Sequence, residues 1–433
     1  MKGRCTIQMK LNYKRTVLIG LAFMSICVFW QVYDSLIPLI LKQSFHMGDT
    51  ASGVIMALDN ILALFLLPFF GNLSDRCRSP LGKRTPFIIA GTALSVVFML
   101  LLPIADRMLN LTFFIIALLL TLISMGTYRS PAVALMPELT PKPLRSKANA
   151  VINLMGAIGG IIALLMIKFL VPSGERPDYL PVFIGVAATM VICVVILVAT
   201  IRERKLAEAI GADKDEEEST EENAASDAKL PKDVFRSLVL ILCAVALWFI
   251  AYNAVTSAFS KYTQVYLGME GTGFTDCLLI ATVAAILTYI PAGMIASKIG
   301  RRKTILIGIT LMLISFISAA FFTEWSPVLI VLFALTGIGW ASINVNSYPM
   351  VVEMSRGANI GRYTGYYYTF SMAAQVLTPI LSGFLLEHVG YWTLFPYSVC
   401  FLILAFIVML FVKHGDSKPI PPKSKLEMLD VDD

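Results

Sequence analysis

The sequence predicts an all-α membrane protein of twelve transmembrane helices, built as two six-helix pseudo-repeats. Three observations support this fold class. The 433 residues are 57% hydrophobic and only 15% charged, whereas soluble domains carry about 25% charged residues. About twelve apolar segments are long enough to span a bilayer, which requires about 20 residues each. A basic loop bounded by glycine occurs twice, at matching places in the two halves of the chain.

Each predicted helix is an apolar run bounded by polar residues. The runs cover 16–42, 51–72, 87–105, 111–137, 148–171 and 180–201 in the first half, and 235–264, 274–297, 304–322, 327–351, 363–386 and 392–412 in the second. They define an N-terminal bundle at 1–202 and a C-terminal bundle at 234–413. The stretch 203–233 is highly charged with few apolar residues, so we expect a solvated cytoplasmic linker there. We expect 414–433 to form a cytoplasmic tail.

Lysine and arginine are concentrated in the loops of one side of the predicted bundle. By the positive-inside rule this side is cytoplasmic. We therefore expect a multi-pass protein of the cell membrane, plasma or inner, with both termini cytoplasmic. The net charge of +6 is then a property of the loops, and the expected partners are the lipid bilayer and a small-molecule substrate, not nucleic acid. We expect a monomer.

The remaining composition predicts neither a cofactor nor a metal site. The seven cysteines are scattered, without the spacing of metal ligands, and five lie in apolar runs, which is typical of small buried residues. His46, His388 and His414 fall at segment ends or in loops. The sequence has no nucleotide-binding glycine loop, no zinc-protease motif and no hydrolase nucleophile motif. These features argue against an enzyme or an ATP-driven pump.

The two halves align in register at three places. The matches are the basic loop itself, Asp34 and Lys42 with Asn253 and Lys261 at eight-residue spacing, and Glu138 and Lys147 with Glu353 and Arg362 at nine-residue spacing. Three matches in the same order indicate a duplicated six-helix unit. Parallel repeats of this kind are related by an axis along the membrane normal in one large class of transporters.

The basic loop runs from Gly71 to Pro86 in the first half and from Gly293 to Lys303 in the second. Glycine permits close helix approach, an aspartate near a helix end can pair with arginine, and the basic residues can anchor to the anionic inner leaflet. The order Gly-x-Leu-Ser-Asp-Arg from Gly71, followed by Gly82-Lys83-Arg84, resembles the signature loop of the major facilitator superfamily.

The loop is predicted to be a cytoplasmic gating latch that forms when the protein faces outward; a purely topogenic loop is the alternative. The residues assigned to this gating motif are Gly71, Asp75, Arg76, Gly82, Lys83, Arg84, Glu138, Gly293, Gly300, Arg301, Glu353 and Arg362.

Two stretches narrow the resemblance further. Ser74–Ile88, and Pro131–Leu139 with the Ala-Asn-Ala at 148–150, are similar to the glycoside–pentoside–hexuronide cation symporters, and closest to the branch that contains the sucrose transporters. The resemblance implies sugar–cation symport. The coupling residues of that branch are not all present, however. Its arginine two positions after the proline is Val133 here, and its earlier acidic residue is missing from 113–124.

Four ionisable residues lie inside predicted spans, and such residues are functional candidates because a charge in hydrocarbon is costly. They are Asp34, Asp59, Arg129 and Lys261. In the superfamily that the loop resembles, the first and fourth helices of each half line the cavity, which implies that Asp34 and Arg129 face it. We predict that Asp34, Arg129 and Asp59 couple ion movement, since separating a carboxylate from its arginine favours protonation. A fixed structural ion pair is the alternative, and Lys261 is expected to snorkel to the outer surface.

Sugar hydroxyls require hydrogen-bonding groups beside aromatic faces. The predicted substrate contacts are Tyr33, Asn60, Tyr128, Asn153, Tyr252, Asn253, Trp340, Asn344, Asn346, Tyr367 and Gln375. For any one aromatic residue, packing or lipid contact is the alternative. Asn253 and Asn344 stand where the first half has Asp34 and Arg129, which predicts ion coupling in the first half and neutral hydrogen bonding in the second.

These features predict a secondary-active transporter, a proton-coupled symporter of a glycoside or disaccharide that works by alternating access. Apart from the co-transported H⁺ no cofactor is expected. Three alternatives remain at this point: Na⁺-coupled sugar symport, proton-driven export of a drug or other small molecule, and a membrane sensor that binds its ligand without moving it.

Overall fold

The computed structural model describes residues 11–140, 145–172, 177–210, 231–269, 271–354 and 360–416. This part of the chain contains twelve helices that are long and apolar enough to cross a membrane. They are α1 (Tyr13–Gln43), α2 (Asp49–Asp75), α3 (Thr85–Arg107), α4 (Leu111–Glu138), α5 (Arg145–Leu170), α6 (Leu180–Thr200), α7 (Lys232–Val265), α8 (Phe274–Ile299), α9 (Arg301–Ala319), α10 (Val328–Glu353), α11 (Ile360–His388) and α12 (Leu394–Phe411). The predicted all-α fold with twelve spans is confirmed.

The same helix pairs pack together in both halves. In the first half α1 packs on α5 and α6, α3 on α4 and α6, and α2 on α4; in the second half α7 packs on α11 and α12, α9 on α10 and α12, and α8 on α10. Adding six to each helix number of the first set gives the second set. The predicted pseudo-repeat is therefore present in the packing as well as in the sequence.

The halves contact each other at one side of the bundle. We call the side where α1 begins and α12 ends the terminus side, and the other the opposite side. On the opposite side α2 packs against α11 and α5 against α8. A Cβ at Gly53 would collide with the carbonyl oxygen of Pro379, and one at Gly383 with that of Asp49. Only glycine allows two backbones to approach this closely, so these positions determine the α2–α11 contact.

Hydrogen bonds reinforce this closure on the opposite side. The Gln43 Nε2 donates to Gln264 Oε1 at 2.6 Å, which joins α1 to α7. The backbone N–H of Thr50 donates to Glu387 Oε2 at 2.7 Å, so a carboxylate from α11 caps the first turn of α2. The closed side therefore combines backbone contact with polar groups contributed by both halves.

In each half, a carboxylate that follows the sixth helix caps the N-terminus of the third helix. Glu203 accepts hydrogen bonds from the backbone N–H groups of Arg84 at 2.9 Å and Thr85 at 2.8 Å. In the second half the N–H of Arg302 donates to Asp416 at 2.8 Å. Each carboxylate neutralises exposed N–H groups at the positive end of a helix dipole.

The glycines of the basic loops make room for these caps. Gly82 and Gly300 have φ of +122° and +96°, a region that other residues seldom adopt. A side chain at Gly82 would collide with the carboxylate of Glu203. Glu203 is only 3% exposed and starts a short helix, Glu203–Ile210. The start of the linker thus differs from the solvated segment expected from its charge, because its first residue is needed to complete α3.

The Glu203→Ala variant is expected to lose about 1 kcal/mol of stability, the usual effect of removing a helix cap. The apparent Tm in detergent, measured by intrinsic fluorescence, should fall. The matched control is Lys205→Ala, two residues along on an exposed position, which should leave Tm unchanged. Equal Tm values for the two variants would show that the cap contributes nothing.

Candidate functional site

A cavity of about 700 Å³ lies between the two halves, within the range of small-molecule sites. Its walls come from α1, α2 and α4 of the first half and α7, α10 and α11 of the second. The lining residues are Phe23, Ile26, Cys27, Trp30, Asp34, Met56, Asp59, Asn60, Leu67, Arg129, Ser130, Val133, Ala134, Pro137, Phe249, Asn253, Ser257, Asn344, Tyr367, Tyr368, Ser371, Met372, Gln375 and Pro379.

The cavity is directed toward the terminus side. Its wall on α4 extends from Arg129 to Pro137, one residue before the helix ends at Glu138. Its other end is covered by Met56 and Pro379, where α2 and α11 make contact. A solute could therefore reach the cavity from the terminus side while the opposite side is closed.

All three residues predicted to couple ion movement line the cavity. Asp34 is exposed to the cavity, and Asp59 is half-buried and accepts a hydrogen bond from Asn60 Nδ2 at 2.8 Å. The Arg129 guanidinium lies 5.3 Å from the centroid of the Trp30 ring, a cation–π distance. Within the described residues Arg129 forms no ion pair with Asp34, so the cavity holds two carboxylates apart from its one arginine.

The predicted substrate contacts divide into two groups. Five of them line the cavity: Asn60, Asn253, Asn344, Tyr367 and Gln375. Six do not: Tyr33, Tyr128, Asn153, Tyr252, Trp340 and Asn346.

Packing explains most of the second group. The hydroxyl of Tyr128 donates to Ala22 O at 2.9 Å inside the first bundle, and Tyr33 is 2% exposed. Tyr252 and Trp340 stack on each other with ring centroids 3.8 Å apart, so each ring covers a face that a sugar would need. Asn346 is 1% exposed.

Sequence reasoning missed four polar residues in the wall. Ser130, Ser257, Tyr368 and Ser371 line the cavity. Helical spacing offered a signal for two of them, because residues four apart share a face. Ser257 follows Asn253 by four, and Ser371 lies midway between Tyr367 and Gln375. Serines are common in spanning helices, so the spacing becomes informative only once the neighbouring cavity residues are known.

The first basic loop is organised around the Arg84 side chain. Its guanidinium donates to Glu138 at 2.7 Å through Nε and to the carbonyl oxygen of Gly71 at 3.2 Å, and it also contacts Asp75 and Ser74. Arg84 thereby joins the ends of α2, α3 and α4. A Cβ at Gly71 would lie 3.0 Å from Ser130 Oγ, so the close neighbour of Gly71 is α4.

The second loop repeats this arrangement in simpler form, with an ion pair between Arg301 and Glu353 that joins α9 to α10. Both networks lie within their own half, and they are present while the opposite side is closed. Their assignment as a latch of the outward-facing state stays a prediction. The side chain of Arg362 lies outside the described residues.

A buried ion pair across the halves is the largest departure from the sequence prediction. Lys261 Nζ lies 3.0 Å from Asp49 Oδ1, and Lys261 is only 4% exposed. Asp49 also accepts hydrogen bonds from Lys42 Nζ at 3.2 Å and Tyr391 Oη at 2.7 Å. The prediction that Lys261 snorkels to the surface is wrong, because the α2–α11 contact brings a carboxylate to it and excludes water.

Two six-helix bundles around a one-sided cavity that holds ionisable side chains are the architecture of a membrane transporter. A sequence profile of the Major Facilitator Superfamily matches residues 19–288 and 276–429. The chain belongs to the major facilitator superfamily.

Two relatives that are similar in sequence are transporters. The chain is 24% identical to the uncharacterized MFS-type transporter MJ1317 of Methanocaldococcus jannaschii, over 84% of this chain and 86% of that protein. It is 28% identical to the sucrose transport protein SUC3 of Arabidopsis thaliana, but over only 28% of this chain and 23% of that protein.

Among solved structures, a POT family transporter in complex with 5-aminolevulinic acid superposes with a TM-score of 0.69 at 12% identity, covering 92% of this chain and 96% of that one. The inward-open xylose transporter XylE from E. coli superposes with a TM-score of 0.68 at 16% identity, covering 96% and 98%. At these identities the likeness concerns the fold.

Proposed function

We propose that the protein is a proton-coupled symporter of a small sugar, such as a glycoside or disaccharide, and works by alternating access. The observation that carries this proposal is the asymmetry of the cavity. The first half contributes Asp34, Asp59 and Arg129, whereas the second half contributes amides and hydroxyls such as Asn253 and Asn344. Charged groups on one wall suit proton exchange, and neutral donors and acceptors on the other suit a polyol.

The coupling step requires a carboxylate whose surroundings change with the access state. In the present arrangement Arg129 lies over Trp30 and not on Asp34. A rearrangement that brings the guanidinium to Asp34 would stabilise its ionised form and favour proton release, and separating them again would favour uptake. Alternating between these arrangements would couple the proton to the solute.

The direction of access follows from the positive-inside rule. If the lysine-rich terminus side is cytoplasmic, the cavity is open to the cytoplasm and the arrangement is inward-facing. The protein would then reside in the cell membrane with both termini inside. The similarity to a sucrose transport protein and the resemblance of the loop at Ser74–Ile88 support sugar as the substrate class.

Na⁺ coupling is the second candidate, because the carboxylates of Asp34 and Asp59 line the same cavity and carboxylate oxygens are ligands for hard cations. A proton-driven exporter of apolar drugs fits less well, since three charged side chains and four amide side chains line the cavity. In one uptake assay, proton coupling and Na⁺ coupling predict opposite responses to the pH gradient and to the removal of Na⁺.

Proteoliposomes loaded at neutral pH and diluted into acidic, Na⁺-free buffer should accumulate a radiolabelled disaccharide. The uptake should collapse when a protonophore dissipates the gradient, because the proton is then no longer a driving ion. Protein-free liposomes are the control. Uptake that requires Na⁺ and ignores the pH gradient would transfer the coupling role to Na⁺.

A thermal-shift panel of mono- and disaccharides tests the substrate class separately, since a bound ligand stabilises the protein by RT ln(1 + [L]/Kd). A sugar that raises Tm should also compete in the uptake assay. If no sugar raises Tm while a peptide or amine does, the sugar assignment fails.

A further inference from the structure

The arginine of the cavity wall is bound to an aromatic ring and not to a carboxylate. The Arg129 guanidinium carbon lies 5.3 Å from the centroid of the Trp30 ring, within the range of a cation–π interaction. Among the described residues this guanidinium makes no hydrogen bond and no ion pair. The ring of Trp30 is therefore the main contact that determines where the charge of Arg129 lies.

The Trp30 ring is held in place by its aromatic neighbours on α1. The edges of Phe29 and Tyr33 pack against it, with ring centroids 5.1 Å and 5.3 Å away and interplanar angles of 75° and 82°. The indole N–H makes no hydrogen bond in the described part of the protein. Packing alone thus fixes the orientation of the ring face that Arg129 contacts.

Trp30 lies one helical turn from Asp34 on the same face of α1. Both residues line the cavity, and side chains four residues apart on a helix are neighbours, with Cβ atoms about 5–6 Å apart. The charge of Arg129 already attracts the carboxylate of Asp34 across this distance. A movement of the guanidinium by about one helical turn, about 6 Å, would carry it from the ring to the carboxylate.

We propose that Trp30 is a positioning residue for ion coupling, whose ring binds the Arg129 guanidinium while Asp34 carries the proton. The inference rests on the proposed function for the role of Asp34. While Arg129 lies on the ring, Asp34 lacks a bound cation and its protonated form is favoured. When the proton leaves to the water of the cavity, the carboxylate attracts the guanidinium more strongly than the ring does. Arg129 then moves to Asp34 and returns to Trp30 on reprotonation.

The second half has the same spacing without the charges. Phe249 precedes Asn253 by four residues on α7, as Trp30 precedes Asp34, and both line the cavity. The residue that corresponds to Arg129 is Asn344. An aromatic ring and a polar group are present in both halves, but the cation and the carboxylate occur only in the first. Phe249 therefore offers a matched control.

The charged groups around Asp34 define what a titration would observe. Asp59 of α2 and Arg129 of α4 are charged, whereas α7, α10 and α11 contribute no charged side chain to the described wall. A thiol and three phenols lie nearby and stay neutral at acidic to neutral pH; they belong to Cys27, Tyr33, Tyr367 and Tyr368. Asp59 is the group that can titrate together with Asp34, so the signal of Asp34 has to be identified by its loss in Asp34→Asn.

An infrared titration of the substrate-free protein in lipid tests the proposal. The signal is the protonated-carboxyl band that Asp34→Asn removes. In Trp30→Leu we expect the midpoint of this band to fall by about half a pH unit or more, because the protonated state loses the ring that binds Arg129. Trp30→Phe removes no hydrogen bond and keeps a weaker ring for the cation, so its shift should be smaller. Phe249→Leu should leave the midpoint unchanged.

A double-mutant cycle separates this role from packing. Beside Arg129→Gln, Trp30→Leu should not move the midpoint, because the ring then has no cation to bind. A midpoint in Trp30→Leu equal to wild type, or the same shift with and without Arg129, would overturn the proposal. If Trp30→Leu does not fold, Trp30→Phe takes its place in the cycle. No transport is measured, so uptake driven by Na⁺ would refute the proposed function and leave this result readable.

Discussion

The Asp34→Asn variant is expected to lose proton-driven accumulation and to retain exchange of substrate across the membrane. Asparagine has nearly the shape of the protonated carboxyl and can still line the cavity, but it cannot release a proton. The access change should therefore continue while coupling to the pH gradient is lost. Accumulation under an imposed pH gradient and counterflow at equal pH measure the two properties in the same proteoliposomes.

Asp178→Asn is the matched control. Asp178 forms an exposed ion pair with Arg107, with Nη2 2.5 Å from Oδ2, and exposed pairs contribute little. Its accumulation and counterflow should both equal wild type. Full accumulation by Asp34→Asn would remove this residue from the coupling mechanism and leave Asp59 as the carboxylate to examine.

The Lys261→Met variant is expected to weaken closure of the opposite side by about 3–5 kcal/mol, because Asp49 is left as a buried charge without its main partner. The protein should shift toward the state in which that side is open. Faster hydrogen–deuterium exchange at the facing ends of α2 and α11 would report the shift, with exchange at the cores of α3 and α9 as the internal reference.

Two further variants separate the ion pair from general packing. Lys42→Met removes the more exposed of the two lysines that pair with Asp49. Because the Lys42 side chain is 33% exposed, its loss should change exchange much less. Asp49→Leu combined with Lys261→Met removes both charges and should recover part of the closure, as neutral pairs often replace buried ion pairs without loss. Equal exchange in Lys261→Met and wild type would show that the α2–α11 backbone contact closes this side without help.

The sequence was sufficient for the helices and for the repeat. In a bilayer the backbone N–H and C=O groups of a long apolar run find no water, and an α-helix pairs them within the run. The doubled loop allowed the two halves of the sequence to be aligned. Asp34, Asp59 and Arg129 could be selected because charges are rare in such runs, and all three line the cavity.

The sequence does not determine which face of each helix is turned toward the cavity. Apolar residues surround α4 without a continuous polar face, so no amphipathic pattern indicates that Arg129 faces the cavity while the adjacent Tyr128 faces the bundle interior. The same holds for Tyr33 and Asp34, neighbours that point to different environments. Lys261 was misjudged for a related reason, since its partner Asp49 is 212 positions away and only the contact between halves brings the two together.

The carboxylates that cap the first turns of α3 and α9 extend the duplicated unit beyond its six helices. Because Glu203 and Asp416 serve the same purpose in their halves, the inherited unit is six helices plus the acid that follows them. A chain divided for co-expression as two fragments must therefore be cut beyond Ile210, so that the N-terminal fragment keeps its own Glu203. A boundary placed at the first charged residue would give a first fragment whose third helix has lost its cap.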